Sequence, residues 1–252
     1  MSQVRITGRV IGQTDTRPVA DASVFISNAT IGDKTGTDGK FTLTGVKPGK
    51  YELVISIVGF DKYTQVINVE HADINLLDIT LFPRTIGLSG VVVKPKKDPE
   101  RNRNYEWFKE EFLGKSDIAR DCKILNPELL DMSYDGQTGV LTASSADFLI
   151  IENKALGYRL KYLLQDFRLN NYDENNRSFS YSGSVFFEPL HGTAQEESQW
   201  QQKRQEVYAN SPLHFLRAAL NNRIAEEGFR VLRYAITMNP DRPSDRLINE
   251  KI

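Results

Sequence analysis

The sequence predicts a mainly β protein of two domains, a seven-stranded β-sandwich followed by an α+β domain. The chain has 252 residues, which exceeds the usual size of a single domain. About seven short alternating segments with turn residues between them occupy its first third. Strand patterns and then two helical patterns follow. We place the sandwich at residues 1–94, a linker at 95–104, the α+β domain at 105–240 and a polar tail at 241–252.

The strands of the sandwich are predicted from apolar residues at every second position. The longest alternation runs over residues 51–57 and stops at Gly59. Asp38-Gly39 and Pro48-Gly49 mark turns before two of the strands, because glycine tolerates the positive φ of a tight turn. We expect an antiparallel sandwich. Five further strands are placed at residues 4–10, 22–26, 41–43, 66–69 and 77–81, so six of the roughly seven predicted strands are assigned residues.

A charged segment with two prolines, residues 95–104, predicts a linker between the domains. We expect Asn104 to cap the helix that follows and Gly114 to end it. The apolar face of this helix carries Tyr105, Phe108 and Phe112.

The α+β domain is predicted to contain a long β-hairpin. Its first strand covers residues 158–169, and its apolar face switches between Leu164 and Phe167, which indicates a β-bulge. A turn at 173–177 leads into the second strand at 179–187. Shorter strands are predicted at residues 122–127, 128–134, 140–143 and 148–151.

Two helices and a last strand complete the predicted domain. Thr193 and Glu196 have the spacing of a capping box at the start of the first helix. Ser211 begins the second helix and Gly228 ends it, and residues 229–238 alternate as a strand. The apolar stripe of the second helix consists of Leu213, Leu216, Leu220 and Ile224.

Several motifs occur together in the first third of the chain. They are Gly8-Arg-Val-Ile-Gly, Pro18-Val-Ala-Asp-Ala-Ser-Val, Thr35-Gly-Thr-Asp-Gly-Lys-Phe-Thr-Leu, Val46-Lys-Pro-Gly-Lys-Tyr and Val58-Gly-Phe. This segment resembles the carboxypeptidase-regulatory-like domain, a transthyretin-like β-sandwich. The resemblance implies a non-catalytic domain in the Gram-negative cell envelope, where such domains also form the N-termini of TonB-dependent receptors.

Motifs in the second domain extend this resemblance. They include Phe112-Leu-Gly, Cys122-Lys-Ile-Leu-Asn-Pro-Glu and Asn153-Lys-Ala-Leu-Gly-Tyr. Their order is similar to that of the region after the same N-terminal module in two-domain envelope proteins of uncharacterised role. The resemblance therefore implies a location more than a chemistry.

The sequence contains no recognisable catalytic motif. His71, His191 and His214 lack the spacing of zinc ligands, and there is no nucleophile elbow or phosphate-binding loop. Cys122 has no partner motif for nucleophilic catalysis. We therefore predict no catalytic residue, no metal, no cofactor and no enzymatic activity. A hydrolase with a site at the domain junction remains a third hypothesis, after the two binding hypotheses given below.

Aromatic residues are the one possible binding feature in the sequence. Trp107, Tyr158, Tyr162 and Trp200 are the candidates, since exposed rings stack on sugars or on a partner protein. A carbohydrate-binding accessory protein is therefore the second hypothesis.

The leading hypothesis is a non-catalytic binding or assembly module that contacts another cell-envelope protein, with a TonB-dependent receptor as one candidate. A formal net charge of −1 gives no reason to expect a nucleic acid partner. No apolar run reaches the roughly 18 residues of a membrane-spanning helix. We expect the protein in the periplasm or at the outer membrane if a signal peptide was removed, and in the cytoplasm otherwise.

Overall fold

The computed structural model describes residues 4–84, 100–170, 177–235 and 237. The chain divides into two compact units, Met1–Gln201 and Gln202–Ile252, and each is described by itself. Residues 95–99 of the predicted linker, 173–176 of the predicted turn and the predicted tail at 241–252 lie outside the described residues.

Seven strands form the N-terminal β-sandwich, as the sequence predicted. A three-stranded sheet has the order β4-β1-β7, and a four-stranded sheet has the order β3-β2-β5-β6. The strands are β1 Val4–Gly12, β2 Ser23–Ile26, β3 Gly32–Lys34, β4 Lys40–Val46, β5 Gly49–Ser56, β6 Tyr63–Val69 and β7 Ile74–Leu81.

The pairing of β1 with β7 is parallel, which is the one departure of these two sheets from the antiparallel sandwich that was expected. β6 and β7 lie in different sheets, and β7 therefore does not pair with the strand before it in the chain. Only strands joined by a tight turn are forced to run antiparallel. Alternate residues such as Ile6, Leu43 and Leu53 fill the core between the two sheets.

A six-stranded sheet follows the sandwich, and its centre is the long strand β12. One edge of β12 pairs with β13, while the other edge pairs first with β11 and then with β10. The bulge expected in β12 is confirmed by a shift of register between Leu164 and Asp166. The strands are β8 Cys122–Ile124, β9 Leu130–Asp135, β10 Val140–Ser145, β11 Leu149–Asn153, β12 Tyr158–Asn170 and β13 Ser178–Pro189.

Helix α1, Arg101–Leu113, covers one face of this sheet and ends at Gly114 as predicted. Phe108 is fully buried, with its ring centroid 4.8 Å from that of Phe167 on β12. Asn104 was expected to cap α1 but is buried within it. The guanidinium of Arg101 donates hydrogen bonds to the carbonyl of Pro127 in the short helix η1, Pro127–Leu129, and to that of Leu130, the first residue of β9, which holds the first turn of α1 in place. The short helix α2, Asp117–Arg120, follows.

The six-stranded sheet packs against the sandwich through an apolar joint. Phe25 on β2 and Val54 on β5 point away from the sandwich core, and both are almost completely buried. They pack against Leu163 of β12, together with Phe148 and Phe186. The ring centroid of Phe25 lies 5.8 Å from that of Phe148 and 5.5 Å from that of Phe186. Strands β2 and β5 are therefore apolar on both faces.

Hydrogen bonds continue the joint beyond its apolar centre. The amide of Asn28 donates to the carbonyl of Val185 at 2.8 Å, and the amide of Phe187 donates to the carbonyl of Ala29 at 3.0 Å. The turn after β2 thus pairs in parallel with part of β13. The ammonium of Lys62 donates to the hydroxyl of Ser184 at 3.2 Å. Burial lowers the pKa of Lys62, while the charge of Glu52 acts in the opposite direction.

Helix α3, Ala194–Tyr208, begins with the predicted capping box. The amide of Thr193 donates to the Glu196 carboxylate at 2.7 Å, and the amide of Glu196 donates to the Thr193 hydroxyl at 3.3 Å. The indole N–H of Trp200 donates to the carbonyl of Lys154 at 2.9 Å. Its ring lies over Gly157, where a Cβ atom would come within 2.2 Å. Trp200 therefore attaches α3 to the turn between β11 and β12.

Helix α4, Pro212–Leu220, begins at the predicted Ser211 cap, whose hydroxyl accepts from the amide of His214 at 3.1 Å. It ends at Leu220 rather than near Gly228. The predicted last strand is wrong for residues 229–235, which form no regular structure. The ring of Phe229 packs against His214 and Phe215 instead of joining a sheet.

Because Phe25 packs in the joint, we expect it to stabilise the six-stranded sheet as well as the sandwich. We expect Phe25→Ala to lower the free energy of unfolding by about 3–5 kcal/mol, because it leaves a cavity between two sheets. Val66→Ala on β6 is the control, since Val66 is exposed and its truncation is expected to cost less than about 1 kcal/mol. Urea unfolding measures both, and equal losses would contradict the buried joint.

The free energy of unfolding is expected to depend on pH because of Lys62. Its pKa in the folded protein is lower than the 10.5 of an ordinary lysine, because burial disfavours the charged form. The free energy of unfolding that neutral Lys62 contributes is therefore fully present above pH 10.5. It is lost as the pH falls through the pKa that Lys62 has in the folded protein. We expect the wild type to gain free energy of unfolding relative to Lys62→Met as the pH rises toward 10.5. A constant difference in urea unfolding would contradict this.

Two glycines with positive φ test the attachment of α3. Gly157 has a φ of 63° and lies under Trp200, whereas Gly45 has a φ of 76° and no heavy atom near its missing Cβ. Gly45→Ala is expected to introduce only backbone strain of about 1–2 kcal/mol. Gly157→Ala must also displace the indole, so we expect it to lower the free energy of unfolding at least twice as much. Equal losses in thermal or urea unfolding would show that the indole does not press on Gly157.

Candidate functional site

The predicted binding aromatics take part in packing within the chain. Trp107 on α1 is half-buried, and its ring contacts Tyr134 edge to face at 5.5 Å. The guanidinium of Arg103 lies over both rings, 4.8 Å and 5.2 Å from their centroids. This cation–π arrangement holds α1 against β9.

The two predicted tyrosines lie on β12, and Trp200 lies against the turn that precedes it. Tyr162 contacts Phe112 edge to face at 5.0 Å, and burial, together with the neighbouring Tyr181, raises the pKa of Tyr162 to about 12. Tyr158 contacts Phe187 edge to face at 5.6 Å. The structure thus distributes the four candidates over several packing contacts, and ligand binding by them stays a prediction.

Cys122 and the three histidines are the residues whose catalytic chemistry the sequence analysis considered. Burial raises the pKa of the Cys122 thiol, and the charge of Asp121 adds to this, so the reactive thiolate is disfavoured. His71 and His191 are exposed, whereas His214 packs against other rings. Within residues 4–84, 100–170, 177–235 and 237, no group of three or more His, Cys, Asp or Glu side chains could hold a metal ion.

A polar hollow of about 240 Å³ lies on β9, β10 and β12. Leu141 on β10 is buried in the core under α1, and the adjacent Thr142 points from the opposite face of the sheet into this hollow. Hydroxyl, amide and carboxylate groups dominate the lining. The polar lining residues are Asp131, Ser133, Thr142, Ser144, Gln165 and Asp166.

Strand β13 has an edge that is only partly paired. We call residues 178–184 the open edge. They contain no charged residue and no proline. Phe179 and Tyr181 are 47% and 48% exposed, and their ring planes are inclined by only 6°. In the described part of the chain, these seven residues pair through their backbone with β12 alone.

The direction of the free backbone groups follows from their neighbours. The carbonyl of Val185 and the amide of Phe187 bond to the turn at residues 28 and 29, on the side of β13 away from β12. Because these directions alternate along a strand, the N–H and C=O groups of Phe179, Tyr181 and Gly183 point to the same side. Among the described residues, the outward backbone donors and acceptors of these three residues therefore have no partner.

Helix α4 presents an apolar stripe to solvent. Leu213, Leu216 and Leu220 are 51%, 57% and 87% exposed. The opposite side of the helix carries the buried Ala218 and His214, whose imidazole lies 3.1 Å from the Glu227 carboxylate. His214 thus stabilises the packed side of α4. Its hydrogen bond is the main cause that lowers the pKa of Glu227, with Arg223 contributing.

Sequence reasoning identified the apolar stripe of α4 but not its exposure. Periodicity shows that apolar residues share a face without showing what covers that face. The absence of charge over residues 178–184 was the one available sign of an unusual edge, because edge strands commonly carry charged residues.

The following solved structures are remotely similar to the chain. An interface mutant of a type II cohesin–X-dockerin complex from Acetivibrio cellulolyticus shares 21% identity over 32% of this chain and 58% of the other, with a TM-score of 0.29. The pilus 2b backbone protein of group B streptococcus shares 20% identity over 32% and 42%, with a TM-score of 0.28. The shaft pilin of Lactobacillus rhamnosus GG shares 14% over 34% and 50%, with a TM-score of 0.28.

These matches span less than two thirds of the other chains and carry no argument about function. No curated protein sequence matches the chain. The profile of the CarboxypepD_reg-like domain family matches residues 6–93, about a third of the sequence. That segment includes all but the first two residues of the observed sandwich and agrees with the motifs found above. Residues 6–93 are therefore similar to the CarboxypepD_reg-like domain family.

Proposed function

We propose that this chain is a non-catalytic binding or assembly module of the cell envelope that contacts another envelope protein, with a TonB-dependent receptor as a candidate. The observation that carries the proposal is the exposed leucine stripe of α4. Leu213, Leu216 and Leu220 face solvent on the side of the helix opposite its packed residues. An apolar helix face of this kind fits a groove in a partner protein.

The energetics of the stripe favour a protein partner. Burying one leucine side chain contributes about 1.5–3 kcal/mol, so three such residues offer a substantial gross gain. Part of this gain is offset by the loss of translational freedom and by side-chain ordering on association. Leucines supply neither the aromatic rings nor the hydrogen bonds that recognise sugars. An apolar groove of a protein is therefore the fitting surface.

The alternatives gain no comparable support from the described residues. Trp200, which was considered for carbohydrate binding, is hydrogen-bonded and packed over Gly157. The thiol of Cys122, which was considered for catalysis, is disfavoured in its reactive form. None of the helices in the described ranges has the length and apolar character needed to cross a membrane. The envelope location rests on the resemblance of the N-terminal domain.

Site-specific photo-cross-linking in the native cell tests the proposal. A photoreactive residue at Leu220 is expected to cross-link one protein of the envelope fraction, because this position is the most exposed of the stripe. The same residue at Gln205, an exposed position on α3, is the control and should not capture that protein. Recovery of the chain from the cytoplasm alone, or equal cross-linking from both positions, would contradict the proposal.

A charge substitution provides the matching prediction. We expect Leu216→Glu combined with Leu220→Glu to lower the yield of the cross-linked complex at least tenfold, because carboxylates cannot enter an apolar groove. Gln205→Glu adds the same charge outside the stripe and should leave the yield unchanged. Circular dichroism should show unchanged folding, since both leucines are exposed. Retention of the complex by the double variant would exclude the stripe as the contact.

A further inference from the structure

We propose that two copies of this chain associate through the open edge of β13. The two strands would run antiparallel about a two-fold axis at Tyr181, so that two six-stranded sheets become one continuous sheet. This inference is independent of the proposed function, which concerns α4. It rests on the pairing, exposure and residue pattern of residues 178–184.

The open edge lacks the features that usually protect a sheet edge. Lysine, proline and inward-pointing charge keep natural edge strands from pairing with other chains. Residues 178–184 contain neither charge nor proline, and they include two aromatic residues that favour strands. The adjacent Arg177 does not guard the edge, because its guanidinium is bound 2.9 Å from the Glu111 carboxylate on α1.

The same edge already accepts a second segment farther along the strand. The turn at residues 28 and 29 bonds to Val185 and Phe187, and this pairing stops where the open edge begins. An added strand would therefore continue an interface that exists within the chain. Phe179, Tyr181 and Gly183 present the free donors and acceptors for it.

The residue pattern makes the edge complementary to itself. With the axis at Tyr181, this residue faces its own copy, Phe179 faces Gly183 of the second copy, and Ser180 faces Ser182. Gly183 has no space for a side chain, because a Cβ atom would lie 2.3 Å from the carbonyl oxygen of Leu163 and 2.5 Å from the Tyr162 ring. The phenyl ring of Phe179 would thus lie beside Tyr162, over the glycine.

The proposed contact involves few residues, which limits the affinity of the dimer. Three antiparallel pairs that exchange both backbone hydrogen bonds give about six bonds. Such an interface is smaller than that of a permanent dimer, so we expect a dissociation constant on the order of micromolar. The second copy is favoured over another protein because each exposed residue of the edge finds a suitable neighbour in the same sequence.

Sedimentation equilibrium of the full chain from about 1 to about 100 μM tests this inference. The wild type is expected to form dimers in this range, and a monomer throughout would overturn the proposal. Tyr181→Lys and Tyr181→Glu should each weaken association at least tenfold, because two like charges would face each other at the axis. Val66→Lys, an exposed position on β6, is the control and should not change the equilibrium.

Mixing the two Tyr181 variants tests the register. The lysine and glutamate variants should form a heterodimer together, because position 181 of one copy faces position 181 of the other. Dimers that survive both substitutions, or variants that do not associate when mixed, would overturn the proposed pairing. The variant with glutamate at Leu216 and Leu220 should still dimerise, and its loss of dimerisation would place the contact on α4 instead. Circular dichroism checks that every variant is folded.

Discussion

The packing of Phe25 and Val54 against Leu163 is the interaction on which the first unit of this protein depends. The four-stranded sheet of the sandwich is apolar on both faces near the middle of β2 and β5. One face fills the sandwich core, and the other packs against the six-stranded sheet. Since the apolar side chains on both faces of this sheet are buried, the sandwich and the six-stranded sheet stabilise each other.

This joint also determines which surfaces remain for binding. It brings the turn at residues 28 and 29 onto β13, which completes one part of that strand's edge. Within the described chain, residues 178–184 pair with β12 and with no second strand on their other side. It likewise covers Phe148 and Phe186, so these rings contribute to stability rather than to recognition. Phe179 and Tyr181, which are about half exposed, lie on β13 just before the residues that take part in the joint.

The sequence predicted the features that depend on local order and missed those that depend on distant partners. Alternation, the capping box at Thr193 and the bulge in β12 are local, and the structure contains all three. The joint was not predicted, although the unbroken apolar runs at residues 24–26 and 53–55 are typical of strands buried on both faces. The alternation at 229–235 had no strand to pair with, and Phe229 packs against His214 instead.

Native-state hydrogen exchange at the amides of Asn28 and Phe187 tests the joint most directly. Both amides donate across it, to the carbonyls of Val185 and Ala29. If the sandwich and the six-stranded sheet stabilise each other, both amides will exchange only with the large opening free energy of core amides such as that of Val54. Exchange at the rate of an exposed turn, while the amide of Val54 stays protected, would contradict the account.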